Sequence, residues 1–381
     1  MGQGHPSGEY QAIAHLGAPT FHKLRSAKPS TRPRENGLLS YGPDEGANRG
    51  IQCLYCELVW LRLSVLGCAL LAGTQTAAAQ SFPSRPLTLV VPFAAGGPSD
   101  VAGRIVAQSL SEKLGQQVVV ENPAGAGGTL GSLRVAKAPP DGYQFVIGNS
   151  GTHAWSQALY KKPPYNTVTD FAALGLVVEA PRVIITPKNF PANTLPEFIA
   201  YVKANQSTVK YGSAGAGSAS HVSCILLNAA LGVDIVHIPY RGLGPAMQDL
   251  IAGRIDYMCD SPSTSRPQIE TNNVKAIATT GAKRTSVLPV VPTAREQGLD
   301  FEVMTWQGLF LPKDTPDPIV RHLNQALSAT LDLPFVRERF KAVGEDVAPA
   351  ERRSPEYFAK FVAGEIDKWS GPIKASGVSV D

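Results

Sequence analysis

From Pro86 to Gly148 short, almost wholly apolar runs alternate with amphipathic stretches, and no other feature limits the possible folds as strongly. Leu87-Thr-Leu-Val-Val-Pro-Phe93 has the composition of a parallel strand buried on both faces. Gly96-Gly97 breaks the run, Ser99 or Asp100 can cap a helix, and Ala102, Ile105, Val106 and Leu110 follow helical spacing. Gly115 ends that helix, and Val118-Val-Val120 opens the next strand. The turn Gly125-Ala-Gly-Gly128, a helix through Leu133 and Val135, the turn Pro139-Pro-Asp-Gly142 and a strand over 143–148 repeat the cycle. The layout is a doubly wound α/β arrangement.

The next third uses the same grammar. Thr194-Leu-Pro-Glu197 is a capping box. A strand over 209–212 leads through a Gly/Ser turn into a helix carrying Val222, Ile225, Leu226 and Ala229 on one face and closed by Gly232. Strands over 234–240, 254–259 and 274–280 follow, with a helix over 245–252 after the first. Helices over 316–331, 335–343 and 355–376 complete the chain. Two long apolar runs, 176–187 and 304–312, can carry the chain between two lobes. They predict a first lobe built from 80–187 and 304–381 and a second from 188–303. With 43% hydrophobic residues among 381, there is apolar side chain enough for two cores.

The first eighty residues read differently. Residues 1–52 show neither helical nor strand periodicity. The apolar run 58–72 is short for a membrane span, carries Arg62, and leads to Ala77-Ala78-Ala79, a small-x-small pattern. Cleavage after Ala79 and export to the periplasm are the expectation, with a translation start near Val59 accounting for the stretch ahead of it. Cys53-Leu-Tyr-Cys56 lacks a βαβ context for redox chemistry. Cys224 sits mid-helix among apolar neighbours, where a free buried thiol is the commoner state, and its pairing with Cys259 stays open.

Net charge is +4 with no block of like charges, which argues against a nucleic-acid binder. There is no G-x-x-x-x-G-K-[ST], no G-x-S-x-G and no H-E-x-x-H. The histidines after residue 79 (His153, His221, His237 and His322) lack metal-ligand spacing, and no carboxylate pair is poised for acid–base work. No catalytic residue, metal or cofactor is expected. Two turns do carry chemistry: Phe93-Ala-Ala-Gly-Gly-Pro-Ser-Asp100 and Gly212-Ser-Ala-Gly-Ala-Gly-Ser-Ala-Ser-His221 each run from a strand end into a helix N-terminus. Unpaired amides and the positive end of the helix dipole favour an anion there. With one turn in each lobe, a carboxylate between them would receive amides from both.

The region 82–381 resembles the Bug family, the extracytoplasmic receptors of tripartite tricarboxylate transporters. The resemblance rests on Pro83-Ser-Arg-Pro-Leu-Thr-Leu-Val-Val-Pro-Phe-Ala-Ala-Gly-Gly-Pro-Ser-Asp100, Val119-Val-Glu-Asn-Pro-Ala-Gly-Ala-Gly-Gly128, Asp141-Gly-Tyr143, Tyr211-Gly-Ser-Ala-Gly-Ala-Gly-Ser-Ala-Ser-His221, His237-Ile-Pro-Tyr-Arg-Gly242 and Pro289-Val-Val-Pro-Thr293. It implies a two-lobed Venus-flytrap periplasmic binding protein fold of type II, with two doubly wound lobes joined by two crossing strands. It implies a monomeric receptor, not an enzyme, that holds a small organic acid and delivers it to membrane permease subunits. Signalling to a sensor protein is the alternative role, and an enzyme acting on a carboxylate in the cleft is a third. Carried onto this chain, the ligand site comprises Phe93, Ala94, Ala95, Gly96, Gly97, Ser99 and Asp100, with Ser150, Gly151, Thr152 and His153 from the first lobe. Ser213, Ala214, Gly215, Ala216, Gly217, Ser218 and His221, then Tyr240, Arg241 and Asp260, supply the second. The segment Thr152-His-Ala-Trp155 departs from the family's pattern, so which carboxylate is bound does not carry over.

Overall fold

The computed structural model describes residues 82–380, and the reading of 1–79 as an extension and signal peptide lies outside the described residues. In chain order the elements are β1 (Leu87–Val90), α1 (Pro98–Leu114), β2 (Val118–Glu121), α2 (Thr129–Ala136), β3 (Gln144–Asn149), β4 (Phe171–Pro181), β5 (Val183–Pro187), α3 (Leu195–Ala204), β6 (Lys210–Ser213), α4 (Ala219–Leu231), β7 (Val236–Pro239), α5 (Leu243–Ile251), β8 (Tyr257–Asp260), α6 (Pro262–Glu270), β9 (Val274–Thr279), β10 (Met304–Pro312), α7 (Asp317–Leu331), α8 (Pro334–Ala342), β11 (Asp346–Val347) and α9 (Pro355–Ala375). A five-residue π-helical turn, Gly151–Trp155, follows β3.

Two mixed sheets result. The first has the order β11-β4-β10-β3-β1-β2 and the second β7-β6-β8-β5-β9. The expected parallel winding holds for β1 with β2 and β3, and for β6 with β7 and β8. The strands that pass between sheets run antiparallel to their neighbours: β10 against β3 and β4, and β5 against β8 and β9.

The run 176–187 is not one strand. β4 stays in the first sheet, β5 joins the second, and only Arg182 separates them. Residues 183–187, which the sequence reading assigns to the first lobe, therefore pair in the second sheet. Pro181 and Arg182 interrupt the apolar run at the switch, so the break was marked locally by two adjacent residues. The second apolar run, 304–312, is β10, which pairs in the first sheet from Met304 onward.

Helix ends follow from local chemistry. Gly115 and Gly232 terminate α1 and α4 in left-handed conformations, which glycine adopts at least cost. Thr194 caps α3 by accepting from the Glu197 amide, while Glu197 reaches back to the amide of Asn193 rather than that of Thr194. The α1 cap differs from expectation. Gly97 is its N-cap, followed by Pro98 with its preset φ, and both Ser99 and Asp100 fall inside the first turn.

Cores form on both sheets. Leu89, Val106, Leu110, Phe145, Leu309 and Leu323 are fully buried where α1 and α7 cover the first. Met258, Ile185 and Leu250 are buried where α5 covers the second. The open question about the cysteines is answered by the fold: Cys224 of α4 and Cys259 of β8 form a disulfide, with Cα atoms 5.7 Å apart. Both residues are buried, and the bond fastens a helix to its sheet. Among the described residues no helix is long and apolar enough to cross a membrane, and no cluster of His, Cys, Asp or Glu could hold a metal ion.

Candidate functional site

A cleft lies between the two sheets, where α1 and α4 point their N-termini at one space. Gly97, Ser99, Ser218, Ala219 and Ser220 line it, together with Phe93, Asn149, Ala214 and Leu243. Many amides of the two Gly-rich turns are already used. Ala94 donates to the Arg241 carbonyl at 3.1 Å, across the two halves, and Ala214 donates to Ser220 Oγ at 2.9 Å. Gly215 donates to Ser213 Oγ at 3.0 Å, and Gly217 to His221 Nδ1 at 3.1 Å. The amides of Gly97, Ser99, Ala219 and Ser220 have no partner among the described residues. Two of these belong to each helix start, so orphan donors and helix dipoles converge from both sides.

Asp100 does not enter the cleft. Its carboxylate accepts from the Gly96 amide at 3.0 Å, from Arg104 Nε at 3.0 Å and from Asn122 Nδ2 at 3.0 Å. Burial pushes its carboxyl up, but these bonds outweigh burial and leave it below its ordinary value. Asp100 thus shapes the first turn and removes Gly96 as a donor. Ala95 and Gly96 open onto a separate groove beside α5 and α6.

The segment 150–153 lies behind the cleft wall rather than in it. Ser150 Oγ accepts from the Trp306 amide at 3.0 Å, and Thr152 is held by Asn149 and His153. His153 is fully buried, stacked on Phe310 with centroids 4.1 Å apart, and burial pulls its imidazole down to about 3. Gly151 matters as backbone: a side chain on it would strike the backbone of Ser218 and Ala219 at the start of α4. Asn149, which sequence reading passed over, is the residue of this region that lines the cleft.

In the second half, Ser213 and His221 are also set back. Ser213 Oγ and His237 Nε2 lie 2.6 Å apart, and His221 stacks on His237 at 4.0 Å. Burial holds His221 near 3 and His237 near 4, so both are neutral. Gly215, Ala216, Tyr240 and Arg241 line a different, outward groove facing Gly125, Ala126 and Gly127. Gly217 packs against Tyr160, whose hydroxyl donates to the Ala216 carbonyl at 3.2 Å. The Arg241 side chain is exposed.

One wall of the cleft was not anticipated. Arg182, between β4 and β5, lines it with Trp306 and Gln307 of β10, Ser261 at the start of α6, and Glu345. Asp260, expected at the site, is fully buried beside this wall; its Oδ1 accepts from the Ser261 amide at 2.7 Å and from Thr264 Oγ1 at 2.7 Å. An arginine inside the run 176–187 was the one signal available for this wall.

The model of the tripartite tricarboxylate transporter family receptor matches residues 102–378, well over half of the chain. The chain belongs to this family. Among the receptor's relatives is a UPF0065 protein from the TAR-I ttuE-ttuC' intergenic region of Agrobacterium vitis, 44% identical over 79% of this chain and 87% of that protein. The periplasmic binding protein BugD shares the fold with a TM-score of 0.76 and 42% identity, covering 78% of this chain and 99% of that one. MatC from Rhodopseudomonas palustris, solved with bound malate, has a TM-score of 0.75 and 43% identity over 77% of this chain and 100% of that one. The two-lobed periplasmic binding protein fold is therefore the fold of this receptor. The family and these structural neighbours are substrate-binding receptors, and this chain is a solute-binding receptor of the same kind, not an enzyme.

Proposed function

We propose that the receptor captures a small organic carboxylate in the cleft between α1 and α4, after export through the segment ending at Ala79, and presents the closed form to a tripartite permease. The observation that carries this reading is the set of amides at Gly97, Ser99, Ala219 and Ser220, unpaired among the described residues, two on each side of one cleft. A carboxylate is the simplest ligand that satisfies donors arriving from both sides. The malate bound by MatC agrees with this chemistry. The lobes are taken as 82–182 with 304–380, and 183–303, with rotation about the crossings at Arg182 and Val303. Contacts such as Ala94 to Arg241 and Tyr160 to Ala216 then form on closure and are absent when the cleft is open.

A thermal-shift screen of small organic acids tests the reading, because a ligand that binds the folded state alone raises the melting temperature by mass action. Aliphatic mono- and dicarboxylates are expected to raise it, and their amides are not. No shift with any carboxylate, from protein first stripped of co-purified ligand, would contradict the assignment.

A further inference from the structure

Arg182 is a buried cation without a partner. It is 6% exposed and lines the cleft, yet among the described residues its guanidinium makes no hydrogen bond or ion pair, and its Nε is shut away from water. Its backbone is pinned on both sides by Thr280, so the side chain is aimed by the crossing itself. Leaving a buried guanidinium without a hydrogen-bond partner is unfavourable.

The nearest acids do not discharge it. Glu345 accepts from Ser261 Oγ at 3.4 Å and from Gln307 Nε2 at 3.3 Å, and Asp260 is committed to Ser261 and Thr264. Neither lies within ion-pair distance of Arg182, although both attract it electrostatically. Burial raises Glu345 to about 7, so it carries only part of a negative charge at neutral pH; Asp260, raised by burial to about 6, is mostly ionised but spends its Oδ1 on Ser261 and Thr264, while Arg182, lowered by burial to about 10, stays positive. The cleft therefore has two anion-seeking poles: the helix starts of α1 and α4, and a planar guanidinium with free donors suited to a carboxylate fork.

We infer that Arg182 is a specificity-determining residue that takes a second carboxylate of the ligand, making the receptor selective for diacids over monoacids of the same length. This rests on the reading of the cleft as a carboxylate site. A diacid spanning both poles satisfies the helix-end amides and the guanidinium together; a monoacid leaves one of them bare.

Isothermal titration calorimetry on the purified protein, unfolded and refolded to remove bound ligand, provides the test. The probes are matched pairs: L-malate with 3-hydroxybutyrate, succinate with butyrate, and adipate with hexanoate. The native protein is expected to prefer the diacid of its best-bound pair by about 50-fold, the worth of one charge-assisted pairing. Arg182→Gln is expected to cut that preference to roughly 5-fold or less while leaving monoacid affinity within about 3-fold. Monoacid binding by the variant also reports that its cleft is folded. If Arg182→Gln does not fold, Arg182→Lys, which keeps the charge and loses the fork, must show a preference lowered about 10-fold. A diacid preference that survives these variants, or equal losses for both members of a pair, overturns the inference while leaving the carboxylate site intact. A native protein that binds no acid of either kind overturns the carboxylate reading and the inference with it.

Discussion

The amide of Arg182 donates to Oγ1 of Thr280 at 2.8 Å, and the amide of Thr280 donates back to the Arg182 carbonyl at 2.9 Å. The Thr280 hydroxyl in turn donates to the Val303 carbonyl at 2.6 Å, and the Val303 amide returns a bond to Thr280 at 3.0 Å. One threonine thus ties together the two places where the chain passes between sheets. Replacing it with valine keeps the shape but strands the Arg182 amide and the Val303 carbonyl, both buried. Thr280→Val is expected to cost about 1–3 kcal/mol in urea unfolding, with Thr280→Ser close to native. Native stability in Thr280→Val would show that the tie carries no weight.

Gly151 tests the cleft from its back wall. Helical backbone accepts alanine there, but a methyl group would meet the backbone of Ser218 and Ala219 at the start of α4. Gly151→Ala is expected to weaken ligand binding by about 10-fold or more while shifting unliganded stability by less than about 1 kcal/mol. Calorimetry alongside unfolding separates the two effects, and unaltered affinity would contradict closure at this contact.

How far could all this be read in the chain? The α/β order, the Gly-capped helix ends and both Gly-rich turns leading into helix starts were legible because each depends on a few adjacent residues. The cleft wall of Arg182, Gln307, Ser261 and Glu345 was not, since it assembles from four separate segments at the crossings. Asp100 and His153 were misplaced for the opposite reason. Each lies near the cleft in sequence, but its side chain turns inward to satisfy local partners, Gly96 and Thr152 respectively. The disulfide could not be told from two buried thiols, because residues 224 and 259 meet only once α4 packs on β8.

That disulfide closes a separation of 35 residues. Chain-entropy reasoning gives it about 3–4 kcal/mol of stability, exerted through the unfolded state. The double variant Cys224→Ala, Cys259→Ala is expected to unfold at correspondingly lower urea with ligand affinity little changed. Equal unfolding midpoints for the two proteins would refute the stabilising role.

Two groups give opposite pH slopes. Burial lowers His153 to about 3, so the unfolded chain takes up a proton near 6.5 that the folded one refuses. Its stabilising effect is full above 6.5 and is lost as pH falls toward 3. Burial raises Glu345 to about 7, so its contribution is full below its ordinary 4.5 and is lost as pH rises through 7. In melting curves taken from pH 4 to pH 8, His153→Phe is expected to flatten the acid limb. Glu345→Gln is expected to gain on the native protein at pH 8 relative to pH 4. Parallel curves for native and variant would contradict both assignments.

The central claim is that backbone amides at two helix starts hold the ligand's carboxylate, and deleting one such amide tests it most directly. Ala219 is the first residue of α4, where proline is tolerated, and Ser218 before it is already extended. Ala219→Pro removes one unpaired N–H and leaves the helix. With the acid that gives the largest thermal shift, calorimetry is expected to show an affinity loss of about 10- to 100-fold with the unliganded melting temperature little changed. Native affinity in Ala219→Pro would mean that the carboxylate is held elsewhere.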